Sequence, residues 1–117
     1  MTPEELKART KCFALRVIKL VGVLPNDPAA RVIANQMLRS ATSVGANYRA
    51  ACRAQSRAAF AAKLAVVIEE ADETLYWLEL LADSGRVKAT LLANVQNEAS
   101  ELVAIVTAAR KTAQKRG

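Results

Sequence analysis

Six carboxylates and five basic side chains hold the spacings in this chain that could support chemistry. Glu69, Glu70, Asp72 and Glu73 crowd one segment, and Glu98 and Glu101 stand three apart in another. Glu70 with Glu73, and Glu98 with Glu101, would each share one face of a helix. Two facing helices carrying such pairs could hold magnesium among four carboxylates. The other readings are a solvated acidic face or ion pairs with arginines of a neighbouring helix. The second constellation is Arg49, Arg53 and Arg57, with Arg39 and Lys63 near them. Clustered guanidinium groups grip phosphates through paired hydrogen bonds, or they pair with the acids of a third helix. Tyr48 is the only aromatic residue beside them, so a surface on which bases stack is poorly supported. Phosphate-directed binding that ignores base sequence is the most this patch can carry.

The chain has no histidine, which removes nucleophile systems built on an imidazole base. Ser43-Val44-Gly45 does not make a nucleophile elbow, and no glycine-rich phosphate loop is present. A catalytic role is not expected, and neither a metal nor a cofactor is expected. Cys12 and Cys52 are too far apart in sequence for a thiolate motif and read as small apolar core residues in a reducing compartment. No apolar run reaches the roughly 18 to 20 residues of a membrane span, and the first residues lack a signal-peptide pattern. The expected location is cytoplasmic, with no membrane partner.

The net charge of +6 is unevenly placed. Residues 1–63 carry eleven bases and three acids, and residues 64–117 carry six bases and eight acids. A basic half beside an acidic half suits a polyanion surface, self-association, or both.

The elements that must position these residues follow from composition. Hydrophobic residues make up 52% of the 117 but aromatics only 4%, so the core must be built from Ala, Leu and Val, which favours packed helices over a sheet. Thr2-Pro3-Glu4-Glu5 is a helix start, with Thr2 as cap and Glu5 closing a capping box. Leu6, Phe13, Val17, Leu20, Val21 and Leu24 follow at mostly helical intervals. A second helix is predicted from about Pro28 to about Ala54, capped by Asp27, with Ile33, Met37, Val44 and Tyr48 on its apolar side. Gly45 inside it costs about 1 kcal/mol relative to Ala and hints at a close helix approach. Ser56 caps a third helix that reaches Asp83, with the stripe Phe60, Leu64, Val67, Ala71, Leu75, Leu78 and Ala82 and a stop at Ser84-Gly85. Around Tyr76, Trp77, Leu80 and Leu81 this helix is apolar nearly all round, which points either to cover by another subunit or to a large residue at the bundle's edge. A fourth helix, about Val87 to about Gln114, carries Leu91, Val95, Leu102, Ile105, Val106 and Ala109. Four long helices with short loops make an all-α, antiparallel up-and-down four-helix bundle, one domain over residues 1–117.

Leu38-Arg39-Ser40-Ala41-Thr42-Ser43-Val44-Gly45-Ala46-Asn47, then Ser56-Arg57 and Phe60, then Glu69-Glu70-Ala71-Asp72-Glu73-Thr74-Leu75-Tyr76-Trp77-Leu78-Glu79-Leu80-Leu81 form one long signature. It resembles the four-helix-bundle proteins encoded in intervening sequences of bacterial large-subunit ribosomal RNA genes. Members tend to carry Ile-Ala-Glu-Gly or Tyr-Arg-Glu-Ala after the asparagine. This chain has Tyr48-Arg49-Ala50-Ala51, so Ala50 replaces the acid and leaves the patch around Arg49 more basic. The fold is also similar to the accessory variability protein of diversity-generating retroelements, a homopentamer that binds nucleic acid and a reverse transcriptase. The paired acids loosely resemble those of all-helical nucleoside triphosphate pyrophosphatases, a magnesium-dependent alternative.

Together these readings give a non-enzymatic homo-oligomer, a pentamer by resemblance, that uses Tyr76, Trp77, Leu80 and Leu81 between subunits. Arg39, Arg49, Arg53, Arg57 and Lys63 face RNA or DNA. The alternative is a scaffold for a protein partner, in which the arginines pair internally.

Overall fold

Three side-chain oxygens start three of the four helices. Thr2, Asp27 and Ser56, each in extended backbone, accept hydrogen bonds from the amides of Glu5, Ala30 and Ala59, the free donors of a first turn. A computed structural model describes residues 1–116 and shows helices α1 (Pro3–Val21), α2 (Pro28–Cys52), α3 (Arg57–Asp83) and α4 (Ala89–Arg116). Pro3 and Pro28 open their helices where no amide donor is needed. Gly85, with φ +73°, takes the left-handed conformation that ends α3, as Ser84-Gly85 implies.

The helices pack in chain order into an all-α, antiparallel up-and-down bundle, with α2 against α1 and α3, α4 against α3, and a sparse α1–α4 seam. Pairings that cross the seams fix the direction of each helix. Arg39 meets Glu70 and Lys63 meets Asn47, so α2 and α3 run oppositely. Arg110 donates to the Ala61 carbonyl and Arg57 to that of Arg116, so α3 and α4 do too. The body measures 47 × 20 × 19 Å, the long dimension being close to that of a helix of this length at about 1.5 Å per residue.

Phe13, Met37, Leu64, Leu78, Leu92 and Leu102 are fully buried along the axis. Ala30, Ala34, Ala41, Ala51, Ala61, Ala71 and Ala99 let the backbones approach closely where a bulkier core would hold them apart. The close approach that Gly45 hints at occurs against Thr10 of α1, where an added Cβ would lie 3.2 Å from the Thr10 hydroxyl oxygen. Thr10 is itself buried and absent from the predicted apolar stripe. Its hydroxyl donates to the Lys7 carbonyl at 3.0 Å, which satisfies the group inside the core.

Several side chains take positions other than those the spacing predicts. Leu91 is 56% exposed in place of facing inward, and Leu92 is buried instead. Adjacent leucines lie about 100° apart on a helix, and packing of α4 against the other helices puts the second one in the core. Leu81, expected at a subunit contact, is fully buried in the chain's own core, while Leu80 beside it is half-buried on the outer side. Leu75 is only partly buried, and Thr74 takes the inner position on α3. Neither cysteine is a core residue, since Cys12 is exposed and Cys52 half-buried.

The phase of α4 is testable with two neighbouring substitutions. Leu92→Ala should cost about 2–5 kcal/mol in urea unfolding, whereas Leu91→Ala should stay within about 0.5 kcal/mol of the parent. Equal losses would show that the helix is rotated from this arrangement.

Candidate nucleic-acid interface

The acidic and basic residues singled out in the sequence sort into paired and unpaired sets. Arg39 on α2 reaches across to α3, where its guanidinium bonds Glu70 at 3.1 Å and also Glu73. Glu73 accepts a further hydrogen bond from the Trp77 indole N–H at 3.0 Å. That indole bond first, and Arg39 second, hold the Glu73 carboxyl below its ordinary range. Just beneath, the buried Ser40 and Thr74 hydroxyls stand 2.8 Å apart; one donates to the other, which can donate back to its own helix. Arg39 is therefore a structural partner of α3, the internal pairing weighed above, and not a free phosphate contact.

Glu98 and Glu101 face a different helix. Arg9 of α1 makes a two-pronged contact with Glu98, at 2.7 and 2.8 Å, and reaches Glu101 at 3.4 Å. The hydrogen bonds from Arg9 are the main cause that lowers the Glu98 pKa, against the opposing effect of burial. The sequence assigns Arg9 no role, since its partner lies 89 residues away and only the relative phases of α1 and α4 bring them together. The two Glu pairs thus face α2 and α1 respectively, and each is bonded by one arginine, which offsets one of its two charges. Among the described residues no group of carboxylates and thiols is arranged to hold a metal ion.

Glu69 and Asp72 are exposed along α3, and the remaining arginines of the basic set gather at one end of the bundle, where α1 begins, the α2–α3 turn folds and α4 finishes. Arg49 lies in the last turn of α2 and Arg53 caps its end. Both are exposed and have no carboxylate partner among the described residues. Cations here offset the negative end of the α2 dipole. Arg57, the first residue of α3, sits where a cation is disfavoured, but its guanidinium donates to the carbonyl of Arg116 at the negative end of α4. Lys63 is on the neighbouring α2–α3 face beside Asn47, at 3.4 Å. The structure brings Arg49, Arg53 and Arg57 to one end, sets Lys63 around the side, and takes Arg39 out of the set.

Two open grooves flank this end. The first, of about 600 Å³, runs between α1 and α2 and is lined by Lys7, Lys11, Arg49 and Arg53 over a floor that includes Gly45 and Ala46. The second, of about 590 Å³, runs between α3 and α4 past Arg57, Arg110 and Arg116. The lysines of α1 and the arginines of α4 are additions to the set that the sequence suggests. Their clustering depends on the helices being antiparallel, which places the first turns of α1 against the last turns of α2.

On the outer side of α3, Tyr76 is 52% exposed and meets Trp77 edge to face, with ring centroids 5.1 Å apart. Trp77 is packed partly against the bundle's own core, as is Leu80. No helix among the described residues is long and apolar enough to cross a membrane.

Comparison with known proteins adds a relationship to this geometry. The profile of a family described as 23S rRNA-intervening sequence protein matches residues 5–108. A crystal structure of a protein with unknown function from the S23 ribosomal protein family of Bacteroides thetaiotaomicron VPI-5482 is 37% identical. The match covers 95% of this chain and 99% of that one, with a TM-score of 0.87. No match is found among curated proteins.

The carboxylates give the bundle a pH dependence of known sign. Glu73 and Glu98 are held below the ordinary glutamate value of 4.5, so the unfolded chain takes up protons more readily. Their contribution is complete above that value and is lost as the pH falls through the depressed folded-state values. The urea midpoint should therefore drop between pH 7 and about pH 3, and Arg9→Met should shrink the drop. An unchanged drop in Arg9→Met would remove Arg9 as its source.

Proposed function

We propose that this chain, which belongs to the 23S rRNA-intervening sequence protein family, is a non-enzymatic homo-oligomer that binds nucleic-acid phosphates through the basic end of its bundle. The observation that carries this reading is the division of the arginines. Arg9 and Arg39 are held by glutamates in the seams between helices, whereas Arg49 and Arg53 stand exposed at one end without such partners among the described residues. A protein that needed arginine only for ion pairing would not gather the unpaired ones beside Lys7, Lys11, Arg57 and Arg110. Their mutual repulsion is unfavourable, and a polyanion relieves it.

No aromatic ring lines either groove, so binding works through charge and phosphate geometry and does not depend on base sequence. Glu70, Glu73, Glu98 and Glu101 are engaged in ion pairs with Arg39 and Arg9, and Glu69 and Asp72 are exposed on α3 outside them, which speaks against magnesium-dependent hydrolysis of nucleotides. The exposed Tyr76 and the partly exposed Trp77 and Leu80 support a subunit contact on the outer side of α3. Five subunits is the expected number, from the resemblance to the pentameric accessory variability protein, and the protein acts in the cytoplasm.

A second reading, a scaffold for a protein partner, is favoured by Leu15 and Ile18, which are exposed one turn apart on α1. It expects no nucleic-acid binding at physiological salt.

Binding to labelled structured RNA and duplex DNA across a salt series separates the two. Affinity should fall steeply with salt, and Arg49→Glu with Arg53→Glu should lower it by at least about tenfold and flatten the salt slope, with helicity intact. Absence of binding at low salt would leave the scaffold reading.

The assembly has its own measurement. Light scattering on the parent should give a mass several times that of one chain, and Tyr76→Glu with Leu80→Glu should reduce it to the monomer. A monomeric parent at micromolar concentration would end the oligomer proposal.

A further inference from the structure

We propose that the groove between α1 and α2 seats a single strand of nucleic acid and excludes a duplex, with Lys7 and Lys11 of α1 facing Arg49 and Arg53 of α2 across it. This rests on the phosphate-binding reading above and adds to it a named channel, two further cations and a strand preference.

The channel is made by the closeness of the two helices. Gly45 allows α1 to settle on α2, since a Cβ there would stand 3.2 Å from the Thr10 hydroxyl oxygen. With Gly45, Ala46 and Ala14 in the lining, small residues leave room that bulkier ones would fill. The result is a concave trough of about 600 Å³ with two cations on each wall and one carboxylate, Glu4, on the α1 side. A duplex is read by a helix or ribbon inserted into its groove, and without insertion it is met only through phosphates on its outside. A trough inserts nothing, so a duplex could touch only its rim. A single backbone can lie within it, with phosphates reaching α1 and α2 together.

Three of the four wall cations, Lys11, Arg49 and Arg53, have no carboxylate partner among the described residues. Lys7 is 3.3 Å from Glu4, an exposed pair one turn apart, which a phosphate can displace at little cost. The α3–α4 groove is less suited to this role. Its Arg57 and Arg110 already donate to main-chain carbonyls of Arg116 and Ala61, and are held by the fold.

Fluorescence anisotropy with a labelled oligothymidylate and a labelled duplex of equal length tests the proposal, using the parent, Lys7→Gln with Lys11→Gln, and Ala46→Leu. Ala46 is exposed and lines the trough, so Leu there fills part of the channel without entering the core and without a ring on which a base could stack. The parent should bind the single strand about tenfold or more tighter than the duplex at equal salt. The lysine pair should reduce the single-strand salt slope by about 1.4, at about 0.7 for each phosphate that is no longer neutralised. Ala46→Leu should weaken the single strand by about fivefold and leave the duplex as it was. Circular dichroism of each variant keeps misfolding from imitating these losses. Equal affinity for strand and duplex, or single-strand binding indifferent to the lysines and to Ala46→Leu, overturns the channel while the phosphate-binding reading stands. No binding of either probe overturns both.

Discussion

The bundle depends on how α1 is closed against α4. That seam is the sparsest of the four, and its principal polar contact is the two-pronged bond between Arg9 and Glu98. Both side chains are mostly shielded from water, and a pair in that position gains less from its charges than geometry alone suggests, because both must be stripped of solvent. Its effect is to fix rotation and register: the planar guanidinium meets both carboxylate oxygens at only one phase of α1. That phase sends Phe13 and Val17 inward, brings Thr10 onto Gly45, and turns Lys7 and Lys11 toward α2. The basic trough is thus a consequence of where α1 is held.

The α2–α3 seam uses the same device more elaborately. Ser40 and Thr74 meet inside the core, and Arg39, Glu70, Glu73 and Trp77 close over them at the surface. The bond between the two hydroxyls forms only in one register, and a slide of one turn would lose it and leave each hydroxyl with only the carbonyl of its own helix. Among the described residues no buried side-chain polar atom lacks a hydrogen bond. Small-residue packing of Ala against Ala discriminates poorly between registers, so these polar contacts supply the discrimination.

Much of this is legible in the chain because helix ends carry local chemistry. Thr2, Asp27, Ser56 and Gly85 act within a few residues of themselves, and each does what its type predicts. The central apolar stripe of α2 is equally plain, since Ile33, Met37, Val44 and Tyr48 have polar or small neighbours that leave one choice of inward face. Phase becomes ambiguous where two leucines stand together, at Leu80-Leu81 and Leu91-Leu92. Either member satisfies the spacing, and only packing against the other helices decides. Thr10 escapes a search for apolar spacing because a threonine that bonds its own helix's carbonyl behaves as an apolar core residue. The candidate site is legible in part for a related reason. Arg49, Arg53 and Arg57 are close in sequence, but Lys7 and Lys11 join them through the antiparallel pairing of α1 with α2, and Arg39 leaves them through a pairing with α3.

The basic end also bears on stability. The last turns of α2 and α4 expose unpaired carbonyls, so Arg49, Arg53 and Arg116 are each placed favourably with respect to a helix dipole. Those gains fall off within one turn, whereas repulsion among the gathered cations extends for about a Debye length, roughly 8 Å at physiological salt. The end is consequently stable enough to fold but carries a surplus of like charge that the protein does not neutralise by itself. A ligand that supplies phosphates removes that surplus in the folded state, where the cations are held together, more than in the unfolded chain, where they are dispersed. Binding and folding are then linked: occupancy raises stability as RT ln(1 + [L]/Kd), and the same charges that weaken the free bundle strengthen the bound one.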